Sequence, residues 1–62
     1  MKPGDLVQIT RRSIGVPDGT VGLVVETRMS EDGIKYHTVL SFINERMRRR
    51  RWLAQDLELI SG

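Results

Sequence analysis

At 62 residues the chain is one domain near the lower size limit for unaided folding, burying only about 60% of the surface its unfolded form exposes. It has no cysteine, which excludes disulfides and Cys-based zinc sites, and its one histidine cannot furnish a His-rich metal site. No apolar run approaches the roughly 20 residues of a membrane span and no signal peptide opens the chain, so the expectation is a soluble, cytoplasmic protein with no membrane partner.

Net charge is +2, but it is unevenly placed. Glu45-Arg46-Met47-Arg48-Arg49-Arg50-Arg51-Trp52 holds five arginines and one acid, a local charge of +4, so the rest of the chain sums to −2. A concentrated basic run on a mildly acidic small domain suggests a surface for an anionic partner.

Residues 5–10 follow the breaker pair Pro3-Gly4 and are rich in apolar and β-branched types, which predicts a first strand. Residues 11–19 form a long first loop that ends in Pro17-Asp18-Gly19. There Pro presets φ at the first central position of a turn and Gly accepts the positive φ that closes it. Ile14 and Val16 are expected to fold back over one end of the core.

Thr20 to Thr27 is the clearest strand. Val21, Leu23 and Val25 share one face, and Val24 lies on the other with Thr20, Gly22 and Glu26. Gly22, inside such a run, marks a tight bend or a close backbone approach. A polar turn over Met29–Gly33 leads to a third strand over residues 34–42, where Tyr36, Thr38, Leu40 and Phe42 share one face, with Phe42 and Leu40 expected in the core.

The arginine run fits two descriptions. As a strand after an Ile43-Asn44-Glu45 turn, residues 46–53 place Met47, Arg49, Arg51 and Leu53 on one face and Arg46, Arg48, Arg50 and Trp52 on the other. As a helix, Ile43, Met47, Ala54 and Leu57 fall on one stripe of good helix formers. Pattern alone favours neither.

The motifs KPGDLVQI, PDGTVGLVVE, TVLSF and WLAQDLELI together resemble the small SH3-like barrel proteins common in tailed phages and prophages. The match covers nearly the whole chain. It implies an all-β fold: one domain over residues 1–62, a small five-stranded SH3-like barrel with a short helical turn at residues 53–56 before a closing strand at 57–60. A phage origin would make the cytoplasm that of a bacterial host. The glycine pattern of strand two also resembles KOW-type modules of ribosomal and transcription elongation proteins, which implies RNA or protein contacts. Gly33-Ile34-Lys35-Tyr36, with Val39, Phe42 and Asp56-Leu57, resembles subunit IV of photosystem I, which implies docking of an electron-transfer protein. Plasmid-encoded type II dihydrofolate reductases share the fold, but their Val-Gln-Ile-Tyr motif late in the chain is missing; Val7-Gln8-Ile9 stands in the wrong strand.

Catalysis finds no footing in the sequence. His37 stands mid-strand without a nucleophile or acid motif, Glu31-Asp32 reads as a solvated turn, and no phosphate-cradling glycine loop precedes a helix. The expectation is a non-enzymatic protein with no cofactor and no metal. The arginines carry the functional reading, since five like charges repel and guanidinium favours bidentate contacts to phosphate or carboxylate. The competing account is a charged edge strand that blocks unwanted pairing.

The expected anion-binding residues are Arg46, Arg48, Arg49, Arg50, Arg51 and Trp52, joined by Arg11 and Arg12, with Arg28 as a further extension. Non-sequence-specific nucleic acid is the leading partner, with Trp52 and Tyr36 as stacking platforms. The alternative is a protein-interaction adaptor or phage-type accessory protein that meets an acidic protein surface or self-associates into a homo-oligomer.

Overall fold

The computed structural model describes residues 1–11, 15–17 and 19–61. Five antiparallel strands form one sheet: β1 (Leu6–Ile9), β2 (Val21–Met29), β3 (Lys35–Ile43), β4 (Arg46–Leu53) and β5 (Leu57–Ser61). A single 3-10 turn at Ala54–Asp56 precedes β5. Strand order is β4-β3-β2-β1-β5, and the 3-10 turn links the two outermost strands, closing a small SH3-like barrel.

Local chemistry explains the strand ends. Asn44 and Glu45 both take positive φ (51° and 63°), and Ile43 pairs with Arg46 across them. This is the two-residue hairpin connection whose twist suits flanking strands. It decides between the two descriptions of the arginine run, because a chain that reverses here pairs its next eight residues with β3 in unbroken register from Ile43–Arg46 to Tyr36–Leu53. At the β2–β3 turn Gly33, at φ 79°, donates its N–H to the Ser30 carbonyl at 2.9 Å. Thr20 N–H donates to the Pro17 carbonyl at 3.2 Å with Gly19 at φ 79°. Pro17 is therefore the first residue of that turn, one place earlier than the sequence suggested. Ile14 lies outside the described residues, while Val16 is buried as expected.

The core comprises Val7, Ile9, Val16, Val24, Val39, Ile43, Trp52 and Leu57. This inverts the expected faces of the two middle strands. Gly22 and Val24 point inward on β2, whereas Val21 and Leu23 are exposed; Val39 and Ile43 point inward on β3, whereas Phe42 is 65% exposed. Leu40, expected in the core, is only half-buried, as is Val25. The cause is space. A Cβ on Gly22 would stand 2.4 Å from Val39 Cγ1 and 3.0 Å from the Leu40 carbonyl oxygen, so β2 and β3 pack their inward sides too closely for leucine or phenylalanine.

Between Val24 and Glu26 the β2–β3 register shifts by one residue, a bulge centred on Val25. Before it Gly22 and Val24 face inward. After it Thr27 pairs with the buried His37, while Glu26 and Arg28 turn outward.

Candidate functional site

β4 is the outermost strand on one side, and strand geometry sends its arginines alternately to the two faces. Arg46, Arg48 and Arg50 lie on the side of Ile43, Ser41 and Val39, their cross-strand partners; Arg49 and Arg51 lie on the outer side, opposite Leu40 and Thr38. All five are exposed. On the inward side Arg48 and Arg50 border a small depression of about 150 Å³ with Gly15, Val16 and Ile43, so their aliphatic stems cover apolar surface while the guanidinium groups remain in water.

On the outer side lies the larger feature, a groove of about 420 Å³ lined by Glu26, Arg28, Tyr36, Thr38, Arg49, Arg50 and Arg51. Three strands build it. β2 contributes Glu26 and Arg28, turned outward by the bulge; β3 contributes Tyr36 and Thr38; β4 contributes the remaining arginines. Thr38 points outward yet is buried, at the floor of the groove among the arginine side chains.

Three guanidinium groups (Arg28, Arg49 and Arg51) and one carboxylate share this space, while Arg50 sends its side chain to the other face. Glu26 is the acid. It accepts a hydrogen bond from Arg28 and a longer contact from Arg49 at 3.4 Å. The bond from Arg28 holds its carboxyl below the usual carboxylate range, with the positive field of Arg28, Arg49 and Arg51 adding to the effect and partial desolvation opposing it. Arg51 lies 5.6 Å from the centroid of the Tyr36 ring, a cation–π arrangement. Among the described residues no carboxylate stands within 4.0 Å of Arg46, Arg48, Arg50 or Arg51. One acid against the three arginines that point into it leaves the groove with a net local charge of +2.

The fold brings Arg49 and Arg51 together with Arg28, which sequence reasoning named only as an extension, while the Arg50 guanidinium stands over Trp52 on the other face. Glu26 and Thr38 were missed as groove residues; Glu26 is turned outward by the bulge, which no residue pattern announces, whereas Thr38 follows the plain alternation of β3. Arg46 and Arg48 stay on β4 outside the groove. Arg11 is elsewhere, paired with Asp56 beside the 3-10 turn at 3.5 Å. Arg12 lies outside the described residues.

Trp52 is a correction. It is 6% exposed and packs inward opposite His37, so its ring is part of the core and offers no platform to an unpaired base. Alternation explains this, since Trp52 is even-numbered with Arg48 and Arg50 but sits deeper along β4, where the barrel closes over it. Arg50 covers one side of the ring at 5.0 Å from its centroid. The Trp52 Nε1–H has no hydrogen-bond partner among the described residues.

His37 is 1% exposed, its Nδ1 2.9 Å from the Thr27 hydroxyl. Burial lowers its pKa, with the N-terminal amine and Lys35 adding like-charge repulsion. No group of three or more His, Cys, Asp or Glu side chains converges among the described residues. Among them, too, no helix is long and apolar enough to cross a membrane.

Comparison of the chain with protein-family models, with curated proteins and with solved structures returns no match.

Proposed function

We propose that this chain is a non-catalytic binding module whose outer groove takes the phosphate backbone of nucleic acid without reading its sequence. One observation carries the reading: Arg28, Arg49 and Arg51 turn their guanidinium groups to a single groove in which Glu26 is the sole carboxylate among the described residues. Phosphate oxygens would replace water at Arg51, which has no carboxylate partner among the described residues, while Glu26 holds Arg28 and Arg49 in place. Tyr36 already carries Arg51 against its ring and Trp52 is buried, so the groove has little with which to grip a base. Backbone contact without base contact gives weak, salt-sensitive, sequence-tolerant affinity.

Fluorescence anisotropy with labelled single-stranded oligonucleotides tests this. Affinity should be similar for unrelated sequences and fall with rising salt at a slope of about −0.7 for each phosphate contacted. Arg49→Ala and Arg51→Ala should each reduce the magnitude of that slope by about one unit or less. Arg11→Ala should leave binding unchanged, because Arg11 is paired with Asp56 away from the groove. Absence of binding at low salt, or unchanged binding by the Arg49 and Arg51 variants, would remove the reading.

A further inference from the structure

The sheet has two outermost strands, and the fold leaves them in unequal condition. β5 is five residues long, and its ladder with β1 is interrupted by a register shift between Leu6 and Val7. β4 is eight residues long and pairs with β3 without a break. No strand pairs on its other side. It contains no proline, no glycine and no bulge, so the usual devices that blunt an edge are missing except one. Only charge guards it.

The hairpin fixes which backbone groups stand free. With Asn44 and Glu45 both at positive φ the connection is a two-residue turn, and Ile43–Arg46 is the first hydrogen-bonded pair. Bonded and non-bonded pairs alternate from there. Arg46, Arg48, Arg50 and Trp52 therefore direct their N–H and C=O groups to β3, while Met47, Arg49 and Arg51 direct theirs away from the sheet. Among the described residues no backbone group of another segment meets these three, and all three are exposed. Donors and acceptors alternate along this edge with a repeat of about 6.8 Å for every two residues. Phosphate, which only accepts, would suit the N–H groups and stand against the carbonyls. A peptide backbone matches both.

Side chains select the kind of peptide. Arg46, Arg48 and Arg50 stand on one face of β4 and Arg49 and Arg51 on the other, so a strand laid along the edge has guanidinium groups above and below it. No carboxylate stands within 4.0 Å of Arg46, Arg48, Arg50 or Arg51 among the described residues. A second copy of β4 would bring five arginines against five, and that repulsion disfavours self-pairing. We propose that the free edge of β4 takes an extended acidic peptide as a sixth strand. Main-chain hydrogen bonds to Met47, Arg49 and Arg51 hold it, and its Asp or Glu side chains meet arginines on both faces. The proposal goes beyond the groove reading and shares with it only Arg49 and Arg51.

Hydrogen exchange of the whole chain, followed by NMR, tests it with a capped Thr-Glu-Glu-Val-Glu-Glu-Thr peptide, which when extended carries two carboxylates on each side. In the free chain the amides of Arg48 and Arg50 should be protected and those of Met47, Arg49 and Arg51 open; saturating peptide should protect these three as well. With a fluorescein label, the peptide should bind more tightly as salt is lowered. N-methylation of its adjacent central Val and Glu removes one N–H from each edge and keeps every charge; it should weaken binding by at least about tenfold. Gln in place of every Glu should abolish binding. Met47→Pro removes one free N–H from β4 at a position where an edge strand tolerates proline. It should weaken the peptide about three- to tenfold and leave oligonucleotide binding unchanged, since Met47 lines no part of the groove. Should circular dichroism show that this variant misfolds, the exchange pattern of the native chain decides. Absence of binding at about 1 mM peptide overturns the proposal, as do Met47, Arg49 and Arg51 amides that stay open in the complex. So does an N-methylated or Gln peptide that binds as well as its parent. Failure of oligonucleotides to bind would count against the groove alone.

Discussion

The two sides of the β2–β3–β4 sheet make opposite use of their residues. Where β2 faces β3 the inward residues Gly22, Val24, His37, Val39 and Ser41 are small or polar, with the larger Ile43 and Trp52 buried farther along; outward stand Leu23, Leu40, Phe42 and Met47, which are larger and more apolar than that set. In a larger domain the bulkier set would form the core. Close approach of β2 and β3 at Gly22 selects the small set there and leaves the large one outside. Side-chain volume, more than hydrophobicity, sorts the residues of this protein.

The sharpest test of that contrast compares truncations on the two sides. Ile9→Ala, at a 1%-exposed core position, should cost about 2–5 kcal/mol in urea denaturation, a large share of the 5–15 kcal/mol of a typical domain. Phe42→Ala, at dilute protein, should change stability by no more than about 0.5 kcal/mol despite removing the larger side chain. Equal losses would show that the outer face is already packed within one chain. Gly22→Ala is next. The new Cβ meets Val39 at 2.4 Å and backbone oxygen of β3, and overpacking of this kind costs about 1–3 kcal/mol, read as a lowered melting temperature.

His37 extends the contrast to pH. Burial keeps its imidazole neutral in the folded chain, whereas the unfolded chain takes up a proton near pH 6.5. Below that pH the unfolded state binds more protons, so His37's contribution is fully present above about pH 6.5 and declines as pH falls. Urea midpoints at pH 5 and pH 7 should differ for the native sequence and converge for His37→Gln; an unchanged gap would assign the acid sensitivity to carboxylates. Smallest is Glu45→Gly. Glu45 holds φ 63°, a region costly to residues with a Cβ, and Asn-Gly is the preferred pair for this hairpin. A gain of about 0.5–1 kcal/mol should appear as a higher melting temperature.

Much of the fold was legible in the residues. Pro3-Gly4, Gly19, Gly33 and the β-branched runs placed β1, β2 and β3 to within a residue or two, and Leu57-Glu58-Leu59-Ile60 placed β5. β4 was not legible from pattern, because arginine and methionine suit a helix as well as a strand; the resemblance to SH3-like barrels decided it, and the Asn44-Glu45 reversal supplies the physical reason. The faces were misjudged because alternation says which residues share a side and leaves open which side is inside. Clustering of the arginines was visible as a run, but their gathering into a groove with Arg28 and Glu26 depends on cross-strand register. Trp52 drew attention as the end of a basic run, when its depth along β4 was what mattered.

The bulge at Val25 acts as a phase shifter. Upstream of it even-numbered β2 residues look inward; downstream the parity reverses, so that Thr27 completes the interior and Glu26 and Arg28 reach solvent. Were Val25 held in ordinary alternation instead, Glu26 and Arg28 would turn inward toward His37 and the outer groove would lose both. The extra residue is absorbed in the bulge, and that is what keeps a carboxylate and a guanidinium at the surface.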